Sequence, residues 1–526
     1  MPDAVVIGSG PNGLVAANLL ADHGWSVTVL EAQSTIGGAV RSDSEVAEGF
    51  VHDTFSAFYP FGAASPAITA LHLEDHGLRW VHTDAVEGHV FPDGRWAVIH
   101  REPEATAAGL NELRAGDGQA WLEMYAMWQR VGADLMGALL SPFPPVKHGA
   151  LAAVKAPSAG MLEVARMLVI SAHRLGIERF AGEGGQLLLN CNALHADFPL
   201  DGPGSGLFGW IMCMLAQEVG FPVPEGGAGR LTEAMGARLR SKGGEIVTDA
   251  RVERIVVEGG RAVGVEVAGG ERIVATKAVC ADVTASNLYG GLVSWDDLPS
   301  RVRADMRRFE LDPATMKVDW ALSGAVPWKG RPEKMPASLH VADSIDALLT
   351  FAGQLSSHRV PAEPFLLVGQ MTTADPTRSP AGTESMWAYT HVPQEVHGDA
   401  GDEGLTGAWD TSETERFADR MQSRIEKYAP GFGERVIARR VLGPRELESR
   451  NENLVGGSVN GGTAAVHQQL IFRPIPGLGR AETPVKGLYL TSASAHPGGG
   501  VHGAPGRTAA RAAISHDRVR RPRRKG

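Results

Sequence analysis

The chain has 526 residues, of which 43% are apolar and 21% charged, ordinary values for a globular protein that exclude wholesale disorder and a coiled coil. The net charge of −10 argues against a nucleic-acid partner. Only three cysteines are present, without a short spacing, and no apolar run reaches the ~18 residues of a membrane span, so we expect a reduced, cytoplasmic protein.

The first forty residues predict a dinucleotide-binding βαβ unit. A strand over 4–7 is followed by a glycine-rich turn, a helix over 14–21 and a second strand that ends at Glu31. In such a unit the glycines permit a tight turn, let the backbone approach a pyrophosphate and let the helix pack closely, while the acid accepts hydrogen bonds from a ribose. The turn reads Gly8-Ser9-Gly10-Pro11-Asn12-Gly13.

A glycine pair after Glu31 carries a resemblance that bears on the type of nucleotide. After Glu31 the chain reads Gly37-Gly38-Ala-Val-Arg41-Ser42. The stretch from Gly8 to Ser42 resembles the FAD-binding opening of the flavoprotein amine oxidase and phytoene desaturase superfamily. The resemblance implies FAD as the cofactor, with Gly37 and Gly38 lining it and Arg41 placed as a cation near its phosphates.

A middle segment extends the resemblance. Residues 231–240 have helical composition, and the strands predicted over 245–248, 250–258 and 262–267 follow. In this superfamily such a stretch returns to the FAD domain, which implies that Val252 lies beside the adenine. Residues 278–282 resemble the strand and loop that lead into a substrate domain.

The C-terminal glycine turn is the most specific motif. It follows a predicted strand over 487–491 and precedes a predicted helix over 508–514. It resembles the flavin loop of the phytoene desaturase, carotenoid isomerase and retinol saturase branch, including the relatives named after pyridine nucleotide-disulphide oxidoreductases. The resemblance implies that the turn meets the flavin; Ser492 departs from the branch, which usually has glycine there. The residues expected at the flavin are Gly499, Gly500, Val501 and Gly503.

These segments predict an α/β fold with two interleaved domains. We expect a Rossmann-type, glutathione reductase-like FAD domain from residues 1–75, 222–300 and 455–517. A mixed-sheet α+β substrate domain should comprise 76–221 and 301–454. The basic residues 518–526 are expected to form a disordered tail.

Two residues are candidates for catalysis. Lys317 lies in an apolar strand, and in amine oxidases a lysine in similar context holds a water near the flavin; the alternative is a structural lysine paired with a carboxylate. His496 begins the C-terminal turn and could touch substrate or flavin, or simply bind backbone. His72 and His76 lack the HExxH order, and no metal site is predicted.

The leading interpretation is an FAD-dependent dehydrogenase or desaturase that takes a hydride from a C–H bond of an apolar, lipid- or isoprenoid-like substrate. Alternatives left open are an amine oxidase, a saturase or isomerase that needs reduced flavin, and a flavin-bound interaction protein with little turnover. Oxygen and a quinone are both candidate acceptors. The apolar run 206–216 fits a substrate tunnel, a membrane-surface contact or a buried helix. The absence of a cysteine pair and of a G-x-S-x-G motif disfavours disulfide reductase and serine hydrolase chemistry.

Overall fold

The computed structural model describes residues 1–145, 161–196 and 199–520. Its strands are β1 Ala4–Ile7, β2 Val27–Leu30, β3 Ser42–Asp43, β4 His52–Asp53, β5 Trp80–Val81, β6 Ala85–Val90, β7 Trp96–His100, β8 Val223–Pro224, β9 Glu245–Val247, β10 Val252–Glu258, β11 Arg261–Val267, β12 Arg272–Val274, β13 Ala278–Ala281, β14 Ala314–Leu322, β15 Ser338–Val341, β16 Arg359–Val360, β17 Leu366–Gln370, β18 Glu384–Val392, β19 Gly398–Asp399, β20 Val436–Leu442 and β21 Leu488–Leu490. Its α-helices are Pro11–Asp22, Pro60–Ala64, Pro66–Thr69, Pro103–Leu113, Asp117–Leu139, Met161–Met167, Ala172–Arg179, Glu183–Ala193, Ser205–Glu218, Gly229–Ser241, Ala285–Asn287, Ser300–Met306, Ile345–Ser356, Met371–Ala374, Thr411–Tyr428, Pro444–Arg450 and Ala504–Arg520.

One sheet has five parallel strands in the order β21-β13-β1-β2-β9. Every residue of β1 and of β13 is buried, as expected when helices cover both faces of a parallel sheet. Helix Pro11–Asp22 packs between helices Gly229–Ser241 and Ala504–Arg520. This is the doubly wound arrangement predicted from the βαβ pattern, and ligands bind such sheets at the carboxyl ends of the strands.

A second sheet has seven strands in the order β20-β14-β18-β17-β15-β6-β7. Its pairs are antiparallel except for β15 and β6, which run parallel. All of its strands come from 76–221 and 301–454, whereas those of the five-stranded sheet come from 1–75, 222–300 and 455–517.

The two faces of the seven-stranded sheet are buried by different layers. Side chains alternate between faces, so Leu367 and Trp387 face one core while Val368 and Ala388 face the other. We call the first the inner face; it packs against helices that include Glu183–Ala193 and Ser205–Glu218. Helix Thr411–Tyr428 covers the outer face.

Two helices bear on expectations stated for the run 206–216 and for the basic tail. The apolar run 206–216 lies within the buried helix Ser205–Glu218, in the core of the inner face. The expectation of a tail beginning at Arg518 is wrong for its first residues, because the last helix continues to Arg520. Residues 521–526 lie outside the described part of the chain.

Candidate active site

The glycine turn after β1 is shaped for close approach. Gly8 has a φ of +88°, in the region that favours glycine. A Cβ on Gly13 would lie 2.4 Å from the carbonyl oxygen of Gly8, so the helix packs tightly on the turn. Pro11 occupies the first turn of helix Pro11–Asp22, where its missing N–H costs nothing. The helix N-terminus therefore points into the site with a partial positive charge.

Glu31 is fixed at the end of β2 by neighbouring donors. Its Oε2 accepts the backbone N–H of Ser9 at 2.9 Å and the Ser9 hydroxyl at 2.6 Å, and its Oε1 accepts the Gln33 N–H at 2.9 Å. The side chain is buried but still reaches the cavity wall. A carboxylate held in this way can accept hydroxyls of a ribose, the role predicted for it.

The second glycine pair packs directly on the first motif. A Cβ on Gly38, whose φ is +55°, would lie 3.0 Å from the Cα of Gly10. Arg41 follows, and its guanidinium donates to the backbone carbonyl of Arg450 at 2.8 Å and lies 5.3 Å from the centre of the Phe55 ring. Burial lowers the pKa of Arg41 from its ordinary value. Its Nε is buried without a hydrogen-bond partner, which leaves a donor for an anion.

Sequence reasoning missed Asp282, although it lies at the centre of the turn. It follows β13, and its Oδ2 accepts the Gly13 N–H at 2.8 Å. A Cβ on Gly10 would lie 2.7 Å from the same oxygen. Burial raises the pKa of Asp282 to about 7, and the nearby charge of Glu31 adds to this. The apolar strand before Asp282 and its position next to β1 could have indicated it, since carboxyl ends of parallel strands meet at one edge.

Together these residues line a cavity of ≈ 780 Å³ at the carboxyl edge of the five-stranded sheet. The predicted residues that line it are Gly8, Gly10, Pro11, Asn12, Glu31, Gly38, Arg41 and Val252. Residues that were not predicted to bind the cofactor complete the wall: Asp282, Thr284, Asn287, Glu448, Asn451, Asn453, Gly461, Ser492 and Ser494 among them. The other predicted residues lie outside this lining: Gly13, Gly37, Lys317, His496, Gly499, Gly500, Val501 and Gly503.

The cavity fits a flavin dinucleotide. Its volume is within the range of cofactor pockets. The glycines at 10 and 38 leave no side chain between backbone and ligand. Two buried polar atoms of its lining residues, Asn12 Oδ1 and Arg41 Nε, have no hydrogen-bond partner within the protein. Bound FAD would be held by the helix N-terminus at its phosphates and by Glu31 at its ribose.

The C-terminal turn is held by internal contacts. Gly498, Gly500 and Gly503 all have positive φ. His502 packs edge-on against Phe61, and its Nδ1 accepts the Ala504 N–H at the start of the last helix. The side chain of Arg473 is fully buried and donates to the carbonyls of Asn460 and Ala493, which ties two loops together beside the cavity.

The hydrogen bond of the His496 side chain is to a backbone carbonyl, not to any of the residues predicted to bind the cofactor. Its Nε2 lies 3.1 Å from the carbonyl oxygen of Ser141, and its ring meets Phe143 edge-on. Burial lowers the pKa of His496 to about 4, so the ring is neutral at physiological pH. The geometry matches the alternative of a histidine bonding to backbone, although Nδ1 has no hydrogen-bond partner.

Lys317 lies in the middle of β14 and is 2% exposed. Its ammonium group forms an ion pair with Asp319, two residues along the same strand face, and donates to the carbonyl oxygen of Asp53 at 2.9 Å. Burial lowers the pKa of Lys317 in spite of that ion pair. Nζ also lies 5.9 Å from the centre of the Trp387 ring. Because lysine has three N–H donors, these two protein contacts leave one donor for a further acceptor.

Aromatic side chains surround this part of the inner face. Trp387 stacks with Tyr389 at 6.0 Å between ring centres, and Phe58 lies 5.9 Å from Trp387. Phe221 in turn lies 6.4 Å from Phe58. Gly369 opposes Trp387 in the register, and a Cβ there would lie 2.3 Å from its ring, so only glycine leaves room for the indole.

Comparison with known proteins places the chain in a family. The model of the family described as flavin containing amine oxidoreductase matches residues 12–289, more than half of the chain. The chain belongs to this family. As a flavin containing amine oxidoreductase family member it is an FAD-dependent oxidoreductase, which confirms the cofactor and the reaction class expected from sequence.

Relatives within the family confirm the branch. The chain is 28% identical to mouse pyridine nucleotide-disulfide oxidoreductase domain-containing protein 2, over 97% of this chain and 92% of the relative. It is 24% identical to a phytoene desaturase (neurosporene-forming) of Cereibacter sphaeroides, over 98% and 95%. An oxidoreductase structure from Methanosarcina mazei matches with a TM-score of 0.63 at 17% identity, over 97% of this chain and 99% of that one, which confirms the predicted fold.

No helix within the described residues 1–145, 161–196 and 199–520 is both long enough and apolar enough to cross a membrane.

Proposed function

We propose that this FAD-dependent oxidoreductase dehydrogenates or desaturates an apolar, isoprenoid- or lipid-like substrate bound on the inner face of the seven-stranded sheet. The observation that carries the proposal is the row of aromatic rings next to Lys317. Phe221, Phe58, Trp387 and Tyr389 follow one another with ring centres 5.9–6.4 Å apart.

Such a surface suits a substrate with little polarity. Large rings bury apolar substrate area at a low cost in side-chain entropy, and that burial supplies most of the binding free energy. Phe58 and Tyr389 are only partly buried, so both retain surface for contact. The inner-face helices shield the same region from bulk water, which favours transfer of a hydride over side reactions.

In this proposal the aromatic row binds the substrate, and Lys317 assists the transfer of a proton. FAD supplies the capacity to accept a hydride from a C–H bond. The aromatic row orients the substrate, and Lys317 holds a water molecule through its remaining donor beside Trp387. That water takes the proton that leaves the substrate, and the Asp319 ion pair keeps the ammonium group in place.

Anaerobic reduction of the bound flavin tests the substrate class. Isoprenoid hydrocarbons, fatty-acyl chains and primary amines should be mixed separately with the oxidised holoprotein, and loss of the flavin's visible absorption recorded. We expect reduction by an apolar substrate and none by amines. Reduction by amines with release of peroxide on admission of oxygen would instead support amine oxidation, and activity that requires prior flavin reduction would support a saturase or isomerase.

Replacement of two separate tryptophans, one in the aromatic row and one outside it, gives a test variant and a control. Trp387→Ala should raise the KM for the apolar substrate while FAD content stays at the wild-type level, because the ring lies outside the FAD cavity lining. Trp295→Ala is the control, since this residue is 45% exposed and distant in sequence from the row. Equal KM values in the two variants would contradict the placement of the substrate. Reoxidation of the reduced enzyme by oxygen and by a quinone analogue identifies the acceptor.

A further inference from the structure

Three acid and imidazole side chains converge at a second place on the inner face. Glu87 Oε1 lies 3.2 Å from His340 Nε2 and 3.5 Å from His195 Nε2, and the two imidazole nitrogens are 2.7 Å apart. Glu87 lies on β6 and His340 on the adjacent parallel strand β15. Ser338 is the register partner of Glu87, so Glu87 and His340 project from the same face on a diagonal. His195 comes from the 3-10 turn Leu194–Ala196 above them.

The carboxylate of this cluster is buried and only half satisfied. Glu87 and His340 have no exposed side-chain surface, and His195 retains 13%. Glu87 Oε2 accepts a hydrogen bond from Asn192 Nδ2, which is itself bonded to the carbonyl of Leu188. Glu87 Oε1 has no hydrogen-bond partner in the described chain. An unpartnered buried carboxylate oxygen costs free energy, so the site calls for a further ligand.

We propose that Glu87, His195 and His340 bind a divalent transition-metal ion. Zinc and similar ions bind imidazole nitrogen and carboxylate oxygen at about 2.0–2.2 Å. Ligand atoms at that distance are about 2.8–3.6 Å apart when they meet at tetrahedral or octahedral angles. Two of the three separations between these atoms, 3.2 Å and 3.5 Å, fall within that range, and the third, 2.7 Å, lies just below it. Small side-chain rotations therefore bring all three atoms to one ion.

The ligand set indicates which ions fit. Two imidazoles and one carboxylate suit zinc, cobalt and ferrous iron, whereas magnesium and calcium prefer oxygen ligands. Asn192 would hold the second carboxylate oxygen and orient Glu87. His340 Nδ1 has no hydrogen-bond partner, and metal-binding histidines with an unpaired second nitrogen bind more weakly. We therefore expect an affinity about 10–100-fold below that of a site with a complete outer shell.

Three protein ligands leave a coordination position open. His195 is the ligand with exposed surface, and its ring lies 6.1 Å from that of Phe221, at the end of the aromatic row. The open position therefore faces the proposed substrate surface, where water or an oxygen atom of a ligand can bind, as in catalytic metal sites. Metal binding itself does not depend on the proposed substrate.

The sequence gives no signal for this site because its ligands are far apart. Positions 87, 195 and 340 lie on three separate elements, and metal motifs are recognised by short spacings. A second group, His358, Glu395 and His397, also brings its ligand atoms close together, but its side chains are exposed and its two imidazole rings stack. It lacks a buried unpartnered oxygen and serves as the control for adventitious binding.

Metal content of the untagged holoprotein tests the proposal. The protein should be treated with a chelator, loaded with Co²⁺ or Zn²⁺, desalted and assayed by elemental analysis, with visible absorption of bound Co²⁺ as a second readout. We expect about one ion per chain in the wild type. Glu87→Gln and His195→Ala should each lose at least tenfold in affinity, while His397→Ala retains the wild-type value.

FAD content provides the check on folding, because the FAD cavity is lined by other residues. His195→Ala decides the outcome if Glu87→Gln does not fold, since His195 lies at the surface of the cluster. Less than about a tenth of an ion per wild-type chain with each of these metals would overturn the proposal. So would an ion that His397→Ala removes, or one that both cluster variants retain.

Discussion

The carboxylate of Asp282 accepts a hydrogen bond from the backbone N–H of Gly13, with 2.8 Å between Oδ2 and N. An acid therefore lies at the N-terminus of helix Pro11–Asp22, which is also where the FAD pyrophosphate is expected to bind. Glu31, the other acid that acts on Asp282, adds to the negative charge at this point. The carboxylate of Asp282 and the phosphates of the cofactor therefore compete for the positive end of the same helix, and their negative charges repel each other.

The first prediction is that FAD binding weakens as the pH rises. The pKa of Asp282 is raised to about 7 by burial, so the carboxyl group is neutral below this pH and charged above it. The pyrophosphate raises that pKa further in the bound state, and each added unit corresponds to a tenfold loss of affinity across the titration. The dissociation constant of FAD, measured by fluorescence quenching, should increase from acid pH to above pH ~7.

Asp282→Asn should remove this dependence and bind FAD more tightly than the wild type on the alkaline side. The amide is close in size and carries no charge, so the turn keeps its shape. A wild-type affinity that does not change with pH would show that the phosphates do not approach Asp282.

The second prediction concerns the contact between the two glycine motifs. Gly38→Ala should reduce FAD content, because its Cβ would lie 3.0 Å from the Cα of Gly10 and would force the two loops apart. Gly24→Ala is the control: its φ of +80° is at least as unfavourable for alanine as the +55° of Gly38, but nothing lies within 4 Å of its Cβ. Flavin content after reconstitution should fall in Gly38→Ala alone; equal losses would mean that backbone strain, and not the loop contact, is responsible.

The third prediction is that Glu31→Ala weakens FAD binding about tenfold to a hundredfold. A charged hydrogen-bond partner contributes roughly 1.5–3 kcal/mol, which converts to that range. Gln33 lines the cavity and its N–H can bind water once Glu31 is removed, whereas Ser9 is fully buried, so the stability of the apoprotein is measured beside its affinity for FAD. Isothermal titration of the apoprotein gives the dissociation constant. An unchanged value would show that Glu31 does not face the ribose.

The fourth prediction separates the two interpretations of Lys317. Lys317→Met should lower the free energy of unfolding by about 3 kcal/mol, because it leaves the buried Asp319 with Arg440 as its remaining cation. Lys427→Met, which removes an exposed pair with Asp343, should cost less than about 1 kcal/mol. FAD-loaded Lys317→Met should also reoxidise more slowly in oxygen. Wild-type reoxidation together with lower stability would make Lys317 a structural residue.

The fifth prediction concerns the C-terminal turn. Gly500→Val should either block FAD entry or lower the reduction potential of the bound flavin, because a β-branched residue at a φ of +102° displaces the turn. His496→Ala should leave FAD binding unchanged, since Nε2 bonds to the Ser141 carbonyl. Redox titration of both variants gives the potentials. Native flavin content and potential in Gly500→Val would show that the turn does not meet the flavin.

The part of the site built from neighbouring residues could be predicted from sequence. The turn at Gly8–Gly13, the acid at Glu31 and the pair Gly37-Gly38 are local patterns whose geometry follows from backbone conformation. The same unit predicts that β1 and β2 are parallel neighbours, but not the positions of β9, β13 and β21 in the sheet. The ion pair of Lys317 with Asp319 was also within reach, because residues two apart on a strand share a face.

What could not be predicted depends on contacts between distant segments. Asp282 and Asn453 reach the first glycine turn only after the chain has crossed both domains, and Asn453 Nδ2 donates to the Asp282 carbonyl. The bond between His496 and Ser141 likewise joins positions 355 residues apart. Such contacts are fixed by packing, which a periodic pattern in one segment does not encode.

The most direct test of the account is the identity and amount of the cofactor. The purified protein should be denatured by heat and the released flavin separated by chromatography and quantified against the chain. We predict one FAD per chain, lost in Gly38→Ala and retained in Gly24→Ala. Release of FMN, or failure of the apoprotein to bind FAD on reconstitution, would contradict the assignment of the cavity beside Gly10 and Asp282.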